Sequence, residues 1–259
     1  MIGAGWTARA GAMNRDRMSV LCALAGVTAI AWLYLIRLSA DMDSSAPMEM
    51  MQVRRWDLVD FGLVLLMWAI MMVGMMVPTA APMTMTYAAV ARKAARDKTP
   101  VPPTMVFASG YVVLWTLFSL LAALAQWGLD QAAALSPMMV ATSPALGGGL
   151  LIVAGTYQLT PFKQVCLHHC SSPAHFLSAH WRPGVSGAFR MGLEHGAFCV
   201  GCCWALMSLL FVGGVMNLLW VAAIAFFVLM EKVMPRGRLT SRVSGSALII
   251  AGVAALVLT

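Results

Sequence analysis

The chain has 259 residues, of which 61% are hydrophobic and only 10% charged, with a net charge of +7. An ordinary soluble domain carries roughly 25% charged residues, so this composition excludes one, and six scattered or clustered cysteines are too few for a disulfide scaffold. The positive charge forms no basic domain, which removes nucleic acid as a partner, and no GxSxG, P-loop, GxGxxG or HExxH motif points to a hydrolase or nucleotide enzyme.

Arg9, Arg15 and Arg17 precede an apolar run from Met18 to Ile36. That run exceeds the h-region of a signal peptide, so it reads as an uncleaved first span; cleavage after Leu38-Ser39-Ala40 is the alternative. Further apolar runs approach the ~20 residues that cross a bilayer as a helix. Their non-alternating pattern means helices rather than a barrel. The expected fold is therefore all-α: a single polytopic domain in the lipid bilayer with seven spans, at about 18–38, 57–78, 104–127, 144–161, 187–212, 215–231 and 242–258. With the N-terminus cytoplasmic, all but Arg37, Arg54 and Arg55 of the 17 basic residues fall inside, a positive-inside bias expected of a bacterial inner-membrane protein with an external C-terminus.

The second span is rich in methionine. Met67, Met71 and Met75 repeat at four residues, as do Met72 and Met76, making a thioether stripe on one helix. Pro78 is expected to end or kink it, with Met83 and Met85 beyond. Met42, Met48, Met50, Met51, Met138 and Met139 fall in the external segments. Thioether sulfur selects Cu(I) and has no proton to lose, although methionine is also a routine apolar filler. Asp57 and Asp60 at the outer mouth are read as solvated.

Five of the six cysteines and all five histidines lie between residues 166 and 203. The segment Lys163–Cys170 reads KQVCLHHC. Cys166, His169 and Cys170 fall within reach of one centre, beside His168, with His175 and His180 following. The fifth span carries Glu194, His195, Cys199, Cys202 and Cys203. His195 and Cys199 share a helix face, and Cys199 can share an ion with Cys202 or Cys203. Thiolate and imidazole suit Cu(I) or Zn(II), and ionisable groups within a span mark function by default. Small cysteines that merely pack between helices are the plainer reading. Later, Glu231 and Lys232 are expected to snorkel at a span end, and Gln158 and Asn217 to form interhelical hydrogen bonds.

Three blocks carry a family resemblance: Trp68–Pro78, Tyr157–Pro173, and Gly192–Lys232 with its GLEHGAFCVGCCWALM opening. The chain resembles a bacterial family of uncharacterised, predicted metal-binding integral membrane proteins, whose members are sometimes labelled copper chaperones. The resemblance implies metal handling, of copper foremost.

The expectation is a membrane protein that binds Cu(I), with zinc as the alternative, and transfers or translocates it. His195, Cys199, Cys202 and Cys203 form the central site, Glu194 orients His195, and Cys166, His168, His169 and Cys170 form an inner relay. Met67, Met71, Met72 and Met75 line the outer path, and a soluble or periplasmic copper donor or acceptor is the partner. A thiol–disulfide oxidoreductase pairing Cys199, Cys202 or Cys203 with Cys166 and Cys170 is the enzyme alternative. A scaffold subunit is the third.

Overall fold

The computed structural model describes residues 3–49, 56–96, 102–136, 139–234 and 237–258, and among them it is helical without a strand. Ten helices follow in order: α1 (Gly3–Glu49), α2 (Leu58–Arg96), α3 (Thr104–Gln131), α4 (Pro144–Leu159), α5 (Pro161–Ser171), α6 (Pro173–His180), α7 (Gly184–Ser208), α8 (Leu210–Gly213), α9 (Leu218–Val233) and α10 (Gly237–Val257). Five stretches are long and apolar enough to cross a membrane: Met18–Asp41, Leu58–Ala94, Thr104–Gln131, Gly184–Gly213 and Arg238–Val257. The two other expected spans correspond to α4 and α9. Each has 16 residues, about 24 Å of helix, against a hydrocarbon core of about 30 Å.

The second helix outruns its expected end at residue 78. It neither stops at Pro78 nor gives way to a loop, but carries both Pro78 and Pro82 inside it and runs 39 residues, about 58 Å. A proline lacks the N–H that would bond the carbonyl four residues back. The Gly74 carbonyl, freed by Pro78, instead accepts from Trp32 Nε1 of α1 at 3.3 Å. Thr79, Thr84 and Thr86 hydroxyls bond the Met76, Ala80 and Pro82 carbonyls around this stretch. The Trp32 bond thus re-satisfies the carbonyl that Pro78 frees, while the threonine hydroxyls add second bonds to carbonyls of the ladder nearby. The first helix likewise continues past the expected span end to Glu49. Met42 and Met48 therefore lie on helix backbone, while Met50, Met51 and Met138 fall outside the described residues.

The 162–186 segment is not a polar loop. Thr160 ends α4 and its hydroxyl accepts from Lys163 N–H, starting α5 with Pro161 in its first turn. The α5 face bearing Lys163, Cys166, Leu167 and Cys170 is buried and packs on α7.

Two seams of small residues fix the helix pairs. A Cβ on Gly110 of α3 would run into the Phe189 carbonyl of α7, and one on Gly192 would run into the Phe107 carbonyl of α3. Gly155 of α4 and Gly245 of α10 meet in the same way, each against the other's carbonyl. Such positions let backbones approach closely. The α3–α7 seam places Tyr111 beside the cysteine-bearing part of α7.

Candidate metal centre

Cys199 is the hub of the molecule's interior. It is fully buried, and the thiols of Cys170, Cys202 and Cys203 are its neighbours. Cys202 and Cys203 also donate to the Cys199 carbonyl at 3.0 Å each. The local reason is helical: residues three and four along from Cys199 fold back over the same turn. Cys170 comes from the neighbouring α5, so the thiols of the two segments form one cluster. The expected inner relay is not a separate station below the central one.

Two further groups reach the same sulfur, and neither was expected. Lys232 Nζ of α9 lies 2.9 Å from Cys199 Sγ and 2.9 Å from Thr79 Oγ1. Tyr111 OH of α3 lies 3.1 Å from Cys199 Sγ and donates to the Met76 carbonyl at 3.0 Å. Thr79 in turn donates to that carbonyl. The result is a closed circuit of hydrogen bonds through α2, α3, α7 and α9. Lys232 is buried and does not snorkel. An ammonium taken out of water needs a compensating anion or acceptors, and the Cys199 sulfur and the Thr79 hydroxyl are the acceptors beside it.

Glu231, also expected to snorkel, turns to the other side of α9. It forms an ion pair with Lys163 of α5 at 2.7 Å, both side chains buried. Ser241 donates to Glu231 Oε1 at 2.9 Å, and Gln158 Nε2 donates to it at 3.3 Å. Lys163 also donates to Gln158 Oε1. Gln158 thus makes the interhelical bonds expected of it, joining α4 to α5, α9 and α10. Asn217 does not; its side chain caps α9 locally by accepting from Trp220 N–H.

His195 sits one turn before Cys199, buried among the rings of Phe107, Tyr111 and Phe176. Both ring nitrogens lack a hydrogen-bond partner. An unsatisfied buried polar atom costs about 1–3 kcal/mol, so this imidazole is held in a state that a ligand would relieve. Glu194 does not orient it. Its Oε1 instead accepts from Arg182 at 2.8 Å and Arg190 at 3.3 Å, because position 194 faces the partly exposed flank of α7 while 195 faces α3.

The α5 donors diverge. Cys166 packs on α7 where Gly201 leaves room: a Cβ there would lie 2.9 Å from its sulfur. Burial pushes the Cys166 thiol up, and the nearby Cys202 adds to this. Hydrogen bonds to Cys199 and Cys202, followed by burial, hold the Cys170 thiol well above its ordinary range. His169 stacks on Phe198, ring centroids 4.5 Å apart, with Nδ1 2.9 Å from the Val165 carbonyl. His168 is exposed and stands with His169 and His175, rings 5.3–5.9 Å apart. Cys166, His169 and Cys170 therefore do not share one centre.

Met67, Met71, Met72 and Met75 are all buried, in the same contiguous core as Cys166, Cys170, Cys199, Cys202 and Cys203. Among the described residues, no three His, Cys, Asp or Glu side chains are disposed to hold one metal ion. A tetrahedral zinc site, which takes four such donors, is not formed among the described residues. A clustered set of thiols with an orphaned imidazole nearby fits a soft monovalent ion better, because thiolate and thioether select Cu(I).

Residues 65–255 match the PpoB2 family, described as a copper chaperone. The chain belongs to that family. The match spans the methionine stripe of α2, the α5 thiols, the α7 cysteines and Lys232, so every residue of the sulfur cluster lies within the family region. No curated protein and no solved structure matches the chain. For this PpoB2-family chain, Lys232, Tyr111 and Thr79 are the cluster residues that sequence reasoning missed. The one local signal was a Glu-Lys pair closing an otherwise apolar helix.

Proposed function

We propose that this chain is an integral membrane protein, not an enzyme, that takes up Cu(I) as cargo and passes it between thioether and thiolate donors. The Cys199-centred cluster carries the reading: four thiols, a buried ammonium and an unpartnered imidazole gathered in a copper-chaperone family member. In this reading α4 and α9 complete a seven-crossing bundle in the bacterial inner membrane, with the N-terminus inside. Exposed apolar residues such as Ile30, Leu121 and Ile250 on α1, α3 and α10 support contact with lipid.

Cys199 with Cys170 or Cys202 would supply linear coordination by two sulfurs, and Lys232 would offset the negative charge of a bis-thiolate complex. The buried stripe Met67, Met71, Met72 and Met75 leads along α2 toward Met76, whose carbonyl is tied to Cys199 through Tyr111. His168 and His169 stand at the opposite end, where a soluble copper donor or acceptor would meet the chain. The test is anaerobic Cu(I) titration of the detergent-purified protein against a competing chelator. Wild type should bind Cu(I) with thiol dependence, and C199S/C202S/C203S should lose that binding; equal binding by both would end the reading.

The contact of Cys170 with Cys199 and Cys202 favours one second reading, thiol–disulfide exchange. There, Cys170 and Cys199 would form a disulfide, passing two electrons and two protons to a substrate disulfide that leaves as two thiols. Replacing Met67, Met71, Met72 and Met75 with leucine separates the two. Copper handling suffers and thiol exchange does not.

A further inference from the structure

At the end of the bundle opposite α5 and α6, the first turns of α2 and the last turns of α3 enclose a cavity of about 420 Å³ with α1 and the loop after α3. Three thioethers line it: Met67 of α2, Met139 of the loop, and Met216 between α8 and α9. Met67 and Met216 are buried and Met139 half-buried. Asp60 and Asp130 also face it.

Met139 is held in place by two devices. Its backbone lies at φ +56°, a conformation that costs a residue with a side chain and persists only where the surroundings fix it. Its sulfur also accepts a hydrogen bond from Gln126 Nε2 at 3.1 Å. Gln126 is itself buried, and its Oε1 accepts from Trp68 Nε1 at 2.6 Å. A buried amide donor is thus spent on a thioether, which is a weak acceptor. That arrangement aims the sulfur rather than filling space with it.

The chemistry of the lining selects the guest. Hard cations such as Ca²⁺ or Mg²⁺ take oxygen donors, whereas three thioethers favour a soft monovalent ion. Thioethers are neutral, so the guest keeps its charge, and the Asp130 carboxylate, which accepts from Trp56 Nε1 at 2.7 Å, attracts it. Met71 stands one turn deeper than Met67 on α2, and Met76 lies about 14 Å along the helix, where the circuit to Cys199 begins.

We propose that this cavity is a docking site for Cu(I), ligated by the thioethers of Met67, Met139 and Met216. It rests on the copper reading above and adds a site chemically distinct from the thiol cluster. Because its sulfur donors carry no proton, it fills after thiol alkylation.

The experiment is anaerobic Cu(I) titration of the full-length protein in detergent against a chelator, before and after blocking the thiols with N-ethylmaleimide. It compares wild type with M139L, M216L and M139G. Leucine keeps the volume and removes the sulfur; glycine removes the sulfur and suits the backbone at 139, so it separates lost binding from misfolding. The blocked wild type should retain one equivalent of Cu(I), with sulfur-only scattering in its X-ray absorption spectrum. The three variants should lose at least tenfold in affinity for that equivalent, with thiol-bound copper unchanged in unblocked samples. Blocked variants that bind as the blocked wild type does would overturn the docking site and leave the thiol reading standing. An unblocked wild type that binds no Cu(I) would overturn both.

Discussion

The sulfur-bearing interior has two ends, and they are built differently. Around Cys199, donors are ionisable thiols, and each buried charge is answered: Lys232 faces a sulfur, and Lys163 faces Glu231. Around Met67, Met139 and Met216 the donors are neutral, the walls enclose an open cavity, and carboxylates stand at the lining. A site of ionisable ligands has to carry its counter-charges with it into the core, whereas a thioether site has no such need. The chain thus keeps ionisable sulfur on α5 and α7 and neutral sulfur around a cavity at the far end of α2.

The sharpest way to break the contrast is to unbalance the charged end. K163M leaves Glu231 buried without its partner and should destabilise the protein by about 3–5 kcal/mol, read as a lower melting temperature in detergent. K163M/E231L should recover most of that loss, while M216L at the other end should change melting little. G192A should cost about 1–3 kcal/mol or more, because its methyl meets the Phe107 carbonyl, and thermal unfolding checks it.

Copper binding sharpens the comparison next. C199S should weaken thiol-dependent Cu(I) affinity by about two orders of magnitude, at the upper end of what perturbing a metal site costs, as measured by chelator competition. Lowering the pH should weaken the thiol end about tenfold per unit for each proton displaced. The sign follows from Cys170, whose thiol is held protonated beyond its ordinary range. Acid favours that protonated form, so metal must displace the proton. The thioether end should respond far less, because its sulfur donors carry no proton and only the carboxylates lining its cavity titrate. The smallest effect is kinetic: with its thiol pushed up, Cys166 should react with iodoacetamide more slowly at pH 8 than a free thiol, and faster as the pH rises.

Much of this was legible from residue types alone. Apolar runs announced the helices, and the spacing of Cys199, Cys202 and Cys203 announced a cluster on one turn. Gln158 was rightly read as interhelical. What escaped was whatever depends on how distant segments meet. Lys232 closes an apolar helix, a position from which a lysine ordinarily reaches outward, and only the nearness of Cys199 turns it inward. Pro78 is a helix breaker by local rules, yet Trp32, remote in sequence, takes up the carbonyl it frees. Glu194 sits beside His195 in the chain but a helical step of about 100° sends the two to different neighbours. Local periodicity says which side chains share a face and is silent on what that face meets.

The glycine seam between α3 and α7 has a mechanical consequence. With carbonyl oxygens of each helix seated where the other lacks a methyl, these two cannot ratchet past one another without collision. Tyr111 and Cys199 therefore travel as one rigid body. In the copper reading, cargo would pass by side-chain rotation or by bending of the proline-bearing α2 rather than by sliding of α3 against α7.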